Sequence, residues 1–191
     1  MSTVICIKEA RVKGYLSIGV KDDSSVRYFT VSKIKYSSIG SPVRGSTVDS
    51  ETLDTLTVLD EEFRAMKKAL SLLSYADNSE RTLRLKLARA GFSRDAVDRA
   101  VGECLSLGYI DEERQLRRLI PTLADKPCGP RLVKYTLYKK GYSPDKISEV
   151  MRMLIEEGEI DFEIAKERII EKYAPSTDEE RHALLIKYGF R

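Results

Sequence analysis

A repeat with a shift of 50 residues constrains this chain more than any other feature. Laying residues 62–111 over 112–161 pairs Glu62 with Glu112, Arg64 with Arg114, Leu73 with Leu123, Leu87 with Leu137, Gly91 with Gly141, Ser93 with Ser143, Asp95 with Asp145, Gly108 with Gly158, Ile110 with Ile160 and Asp111 with Asp161. Turn glycines, helix-start residues and apolar positions match together. A partial third unit follows, where Lys187-Tyr188-Gly189-Phe190 echoes Lys140-Gly141-Tyr142 at a shift of 48. A period in this range marks stacked helical units, each burying its face on the next. At 33% charged and 42% apolar residues over a length of 191, thin packing suits the chain better than one compact ball. The expected fold is mainly α: tandem three-helix repeats, elongated and with the last repeat truncated, preceded by a small N-terminal antiparallel β element.

Four segments follow. Residues 1–48 form a small β-rich N-terminal domain, because Val4-Ile5-Cys6-Ile7, Tyr15–Val20 and Val26–Val31 read as strands, the last two flanking a hairpin turn at Lys21-Asp22-Asp23-Ser24-Ser25. Ile34–Ile39 extends the sheet or forms a short helix, and Gly40 to Ser46 is a loop. Residues 49–111 are the first three-helix repeat with a lead-in segment that starts a helix at Asp49-Ser50-Glu51 and carries its apolar stripe through Leu73 as one helix or two. Ser79 caps the next helix, which carries Leu83, Leu85 and Leu87 and ends at Gly91; Ser93 caps the third, with Val97, Val101 and Leu105 on one stripe. Residues 112–161 are the second repeat. Asp111 caps its first helix, which Pro121 should end or kink, since proline lacks the amide donor and its ring clashes with the preceding turn. Pro130 opens the second helix, and Ser143-Pro144 opens the third, whose stripe is Ile147, Val150, Met151 and Leu154. Residues 162–191 form the truncated third repeat, capped at Asp161.

Several classes of chemistry find no support. His182 is the single histidine, and the three cysteines form no C-x-x-C pair, so a zinc site or a disulfide framework is not expected. Neither G-x-x-x-x-G-K-[ST] nor G-x-G-x-x-G occurs, and paired acids such as Glu156-Glu157 read as helix surface. The expectation is a protein that is not an enzyme, binds no metal or cofactor, and stays reduced in the cytoplasm. No apolar run approaches the roughly 20 residues of a membrane span.

What remains is charge. Between Arg114 and Lys140 eight cations meet one acid, Asp125, in a chain whose net charge is only +3. On a helix Arg114, Arg117 and Arg118 share one face, and so do Arg131, Lys134 and Tyr138. Acids at i+4, which would neutralise a merely solubilising face, are missing. An anionic polymer or an acidic protein groove is the natural partner. Tyr135 aligns with Leu85 and is expected in the core, which leaves Tyr138 as the aromatic at the site. Glu156, Glu157, Glu159, Asp161 and Glu163 form an opposing acidic stretch that meets no base in the sequence and points to a mixed protein surface as partner.

These residues resemble the RecX family, regulators of the RecA recombinase. Ser79–Leu87 with Arg89-Ala90-Gly91-Phe92-Ser93 is similar to that family's first-repeat signature. Gly108–Arg114 resembles its link into the second repeat, and Gly129–Val133 with Leu137–Gly141 its most distinctive stretch. Thr82 departs from the usual Glu, and so removes half of a capping box, while Gln115, Leu116 and Pro121 depart in the second repeat. The resemblance implies a non-enzymatic modulator, an inhibitor of RecA, that lies in the groove of the RecA–single-stranded DNA filament and regulates homologous recombination, DNA repair and the SOS response. Arg114, Arg117, Arg118, Arg131, Lys134, Tyr138, Lys139 and Lys140 would make the contacts. The rivals are a direct DNA-binding module of tandem three-helix units and a helical scaffold for another protein. A monomer with at most weak DNA affinity of its own is expected.

Overall fold

The computed structural model describes residues 2–23 and 25–190. Met1 and Arg191, at the ends of the expected outer segments, and Ser24, in the expected hairpin turn, lie outside the described residues. Strands β1 (Ser2–Glu9), β2 (Tyr15–Lys21) and β3 (Val26–Ser32) lead into helix α1 (Lys33–Ser38) and a two-residue strand, β4 (Thr47–Val48). Eight further helices follow among the described residues: α2 (Ser50–Tyr75), α3 (Glu80–Arg89), α4 (Arg94–Ser106), α5 (Glu112–Ala124), α6 (Pro130–Lys139), α7 (Pro144–Glu156), α8 (Phe162–Tyr173) and α9 (Asp178–Lys187). A mainly helical chain with a small N-terminal antiparallel sheet is what the periodicity led us to expect. Residues group into two compact units, 2–72 with 86–103 and 73–85 with 104–190.

In the first unit the sheet has the order β3-β2-β1-β4, antiparallel throughout, with a register shift between Val4 and Cys6. Alternate residues Ile18, Val20, Phe29 and Val31 turn to one face and pack with Val4, Tyr36 and Leu56 of α2. β4 was unforeseen: Thr47 and Val48 are too few to carry a period, and they are strand only because they pair with Ser2 and Thr3. The lead-in segment is a single helix. Its N-terminus is held by Asp49, whose Oδ1 accepts from the Thr52 amide at 2.8 Å. Leu105 is exposed and Cys104 takes its place in the α4 stripe beside Val97 and Val101.

In the second unit the local start signals act as written. Asp111 has φ −128° and accepts from the Arg114 amide at 2.9 Å; Ser143 accepts from Lys146 ahead of Pro144 at the first helical position. Asp161 accepts from Glu163, and Pro130 opens α6 behind Gly129. The core between α5, α6 and α7 is built from Leu116, Ile120, Val133, Leu137, Ile147 and Leu154.

Pro121 does not end α5, which runs on to Ala124. A mid-helix proline costs about 3 kcal/mol. Leu116 and Ile120 are fully buried, and each contributes about 1.5–3 kcal/mol of apolar transfer, enough to hold the helix through the proline. The turn is also closed beyond it, where the Asp125 amide donates to the Pro121 carbonyl at 2.9 Å.

Leu85 and Tyr135 are not core residues; they are 49% and 55% exposed. Leu83 and Leu87 stand at i and i+4 and both face inward, whereas a residue two positions on is rotated by about 200° and faces out.

Two joints bring helix ends together. The Lys140 carbonyl, at the end of α6, accepts from Ser79 Oγ at 2.9 Å and Thr82 Oγ1 at 2.7 Å, at the start of α3. At corresponding positions, the Tyr188 and Gly189 carbonyls after α9 accept from the Gly129 and Arg131 amides at the start of α6. In both joints a glycine, Gly141 or Gly189, lies against the start of an earlier helix, α3 or α6, so closely that a Cβ would fall 2.5–2.6 Å from its nearest neighbour. Thr82, which cannot complete the capping box, instead binds across the first joint.

Candidate functional site

The α6 helix buries Val133 and Leu137 and turns Arg131, Lys134, Tyr135, Tyr138 and Lys139 to the opposite side. At about 100° per residue these five side chains cover one continuous outer face. Lys140 follows as an exposed cap residue. None of Arg131, Lys134, Lys139 and Lys140 has a carboxylate partner among the described residues. Lys139 meets a ring instead, its Nζ 4.9 Å from the centre of Tyr135, and Arg81, from the first turn of α3, lies 5.8 Å from the centre of Tyr138.

The α5 cations are placed differently. Arg114, Arg117 and Arg118 do share the side of α5 opposite Leu116 and Ile120, yet two of them are engaged. Arg117 forms a two-pronged pair with Glu157 at 2.8 and 3.2 Å and also meets Glu113 at 3.5 Å. This hydrogen-bonded pairing raises the Arg117 pKa and lowers that of Glu157. Arg118 pairs with Asp77, in the turn before α3. Arg114 is exposed and has no carboxylate partner among the described residues. The neutralising acids expected at i+4 are indeed lacking, but their work is done from i−4 and from other elements.

The acidic stretch is corrected in the same way. Glu157 meets Arg117, Glu156 meets Arg152 at 3.0 Å, and Glu163 meets Lys166 at 2.7 Å. Three of the stretch's five acids are thus compensated, and Asp161 caps α8 by accepting from the Glu163 amide at 2.8 Å.

Two cations were missed. Arg81 and Arg84 line a depression with Tyr138, Gly141, Tyr142 and Pro144, together with Glu80 and Glu112. The signal was in the repeat: a shift of 50 places Arg81 on Arg131, Arg84 on Lys134 and Arg89 on Lys139. The first repeat thus carries the same basic pattern on α3, with Leu85 and Ala88 where the second has Tyr135 and Tyr138.

Among the described residues, no group of three or more His, Cys, Asp or Glu side chains is placed to hold a metal ion, and no helix is long and apolar enough to cross a membrane. His182 is exposed on α9. The Cys128 thiol is buried, which raises its pKa, and it donates to the Leu123 carbonyl.

Residues 65–104, from the middle of α2 to near the end of α4, match a family profile described as the first three-helix domain of RecX. A regulatory protein RecX from Salmonella paratyphi B is 31% identical over 121 residues, which span 58% of this chain and 70% of that protein. The chain belongs to the RecX family. A second RecX relative, from Clostridioides difficile, is 28% identical over 121 residues, 62% of this chain and 56% of that protein. The fold agrees over the whole length: a crystal structure of a regulatory protein RecX covers all of this chain and 95% of its own at a TM-score of 0.71, with 17% identity. RecX proteins are named as regulatory proteins, and a binding face is the kind of site such a role calls for. The profile match covers α3, whose Arg81 and Arg84 stand beside Tyr138.

Proposed function

We propose that this RecX-family protein is a non-enzymatic inhibitor of the RecA recombinase that lies as a monomer in the groove of the RecA–single-stranded DNA filament and thereby regulates recombination and DNA repair. In this reading residues 112–161, the second three-helix repeat, make the principal contact through Arg131, Lys134, Tyr138, Lys139 and Lys140, with Arg114 beside them and Arg117 and Arg118 in a lesser role. The observation that supports it is the outer face of α6, where cations stand without carboxylate partners opposite a fully buried Val133–Leu137 edge. An exposed helix face whose charges are left uncompensated is available to a negative surface at little desolvation cost.

The test is RecA's single-stranded-DNA-dependent ATP hydrolysis with the protein added below stoichiometry. The wild-type chain should inhibit. The combined variant Arg131→Glu, Lys134→Glu, Lys139→Glu and Lys140→Glu should not, while keeping the same circular dichroism and unfolding midpoint. Undiminished inhibition by that variant would overturn the proposal. If the protein instead bound oligonucleotides tightly without RecA, with log K falling against log salt by about 0.7 per neutralised phosphate, the direct DNA-binding reading would replace it.

A further inference from the structure

Beside the α6 cations lies a depression lined by Lys134, Tyr135 and Tyr138 of α6 and by Pro144, Ile147 and Ser148 of α7. It encloses about 330 Å³, the small end of the range for ligand pockets, about 300–1,000 Å³. Its surface is carbon: Ile147, buried to 1% exposure, the proline ring and the flanks of two tyrosines, with Ser148 the sole neutral aliphatic hydroxyl and Lys134 the sole charge. Tyr138 and Pro144 also line the neighbouring depression that holds Arg81 and Arg84, so they form a ridge between the two. The acids of that second depression are engaged: Glu80 pairs with Arg84 at 2.9 Å, and Glu112 Oε1 accepts from the Glu80 amide at 2.9 Å. An apolar slot is thus bounded by uncompensated positive charge, with Lys134 on its rim, Arg131 one turn back along α6, and Arg81 across the ridge.

We infer that this slot receives an acidic peptide segment of the protein partner, an aliphatic or aromatic side chain seated over Ile147 and Pro144 and flanking carboxylates on Lys134, Arg131 and Arg81. The inference rests on the reading of α6 as the docking face and names the chemistry that face recognises. A nucleobase fits less well on two counts. The floor offers almost nothing to satisfy the hydrogen-bonding edge of a base, which an apolar side chain does not have. Both tyrosine rings already carry a cation of this chain within 6 Å of their centres, Lys139 on Tyr135 and Arg81 on Tyr138, so a stacked base would have to compete for those faces. An acidic peptide uses the same cations through charge and leaves the rings as walls.

The experiment uses the full chain and fluorescein-labelled synthetic peptides of about ten residues, rich in Glu and Asp with one central Phe, read by anisotropy. The anchored peptide should bind at least about tenfold more tightly than its Phe→Ser counterpart, as expected for burial of one large apolar side chain. Ser148→Glu, a change at an exposed position, should weaken the anchored peptide about tenfold by repulsion while leaving the unfolding midpoint unchanged. Equal binding of the two peptides would overturn the slot. So would tighter binding of labelled oligo(dT) that the same Ser148→Glu change weakens, an outcome that assigns the site to nucleic acid. RecA-dependent ATP hydrolysis separates the two levels of the argument. Failure of the peptide assay, with inhibition still lost in the fourfold α6 reversal, removes the slot and keeps the docking face; inhibition indifferent to both sets of changes removes the face itself.

Discussion

Alanine at Gly141 tests the joint that brings Arg81 of α3 onto Tyr138 of α6. Gly141 has φ +93°, in the left-handed region, where a side chain costs about 1–2 kcal/mol. A Cβ there would also lie 2.5 Å from Ser79 Oγ and 2.6 Å from Thr82 Oγ1, well inside contact distance. Neither hydroxyl is free to swing away, because both bind the Lys140 carbonyl, at 2.9 and 2.7 Å. Displacing them gives up hydrogen bonds of about 1 kcal/mol each. The expected loss for Gly141→Ala is therefore about 3–4 kcal/mol. Gly158 supplies the reference: it lies in the same unit, has φ +74°, and nothing stands within 4 Å of an added Cβ. Gly158→Ala should lose only the backbone part, about 1–2 kcal/mol. Urea unfolding followed by far-ultraviolet circular dichroism measures both, provided the m-values agree. Equal losses would refute the claim that the α6 end is clamped against α3. Because the joint sets Arg81 over Tyr138, Gly141→Ala should also weaken inhibition of RecA under conditions where the variant remains folded, and Gly158→Ala should not.

Arg117→Gln with Arg118→Gln should reduce inhibition less than Arg131→Gln with Lys134→Gln, since the first pair is already engaged by Glu157 and Asp77; an equal or larger effect in the ATP hydrolysis assay would reverse that order. Pro121→Ala should stabilise the chain, by up to about 3 kcal/mol, by restoring the amide donor inside α5; a lower urea midpoint would show that the proline is required where it stands. Tyr142 is 3% exposed and donates to Gln115 Oε1 at 2.8 Å, and burial, reinforced by Glu112, pushes its pKa up to about 12. The folded chain then holds a proton that the unfolded chain releases from about pH 10, so this contribution is complete below pH 10 and is lost as pH rises towards 12, on the order of 2–3 kcal/mol in all. In urea titrations between pH 9 and 12, Tyr142→Phe should flatten that alkaline decline.

Much of the fold was legible because its signals are local. Asp111, Ser143-Pro144 and Gly129-Pro130 each start a helix through chemistry contained in a few neighbouring residues, and the repeat then copies the pattern from one unit to the next. Where reading failed, the deciding partner lay elsewhere or the period was misjudged. β4 exists only through pairing with Ser2 and Thr3. Pro121 stays helical because Leu116 and Ile120 are buried against elements later in the chain. Leu83, Leu85 and Leu87 read as one apolar set by hydropathy, yet alternate residues on a helix cannot share a face, so Leu85 and its repeat counterpart Tyr135 stand outside the core.

The candidate site divides along the same line. A run of cations states how much charge a segment carries, whereas its availability depends on carboxylates that fold against it. Arg117 and Arg118 find theirs in Glu157 and Asp77, each about 40 residues away along the chain, a separation at which no local spacing rule applies. Arg131, Lys134, Lys139 and Lys140 lie on or beside a short helix in a stretch with no acid between Asp125 and Asp145, and they have no carboxylate partner among the described residues. Arg81 was overlooked for the opposite reason. It sits in a segment of mixed charge, and only the joint between Lys140-Gly141 and Ser79-Thr82 carries it to Tyr138. The repeat that organises the fold also builds the face, since correspondence at a shift of 50 sets the basic positions of α3, and the close approach permitted by Gly141 brings the start of that helix to the end of α6.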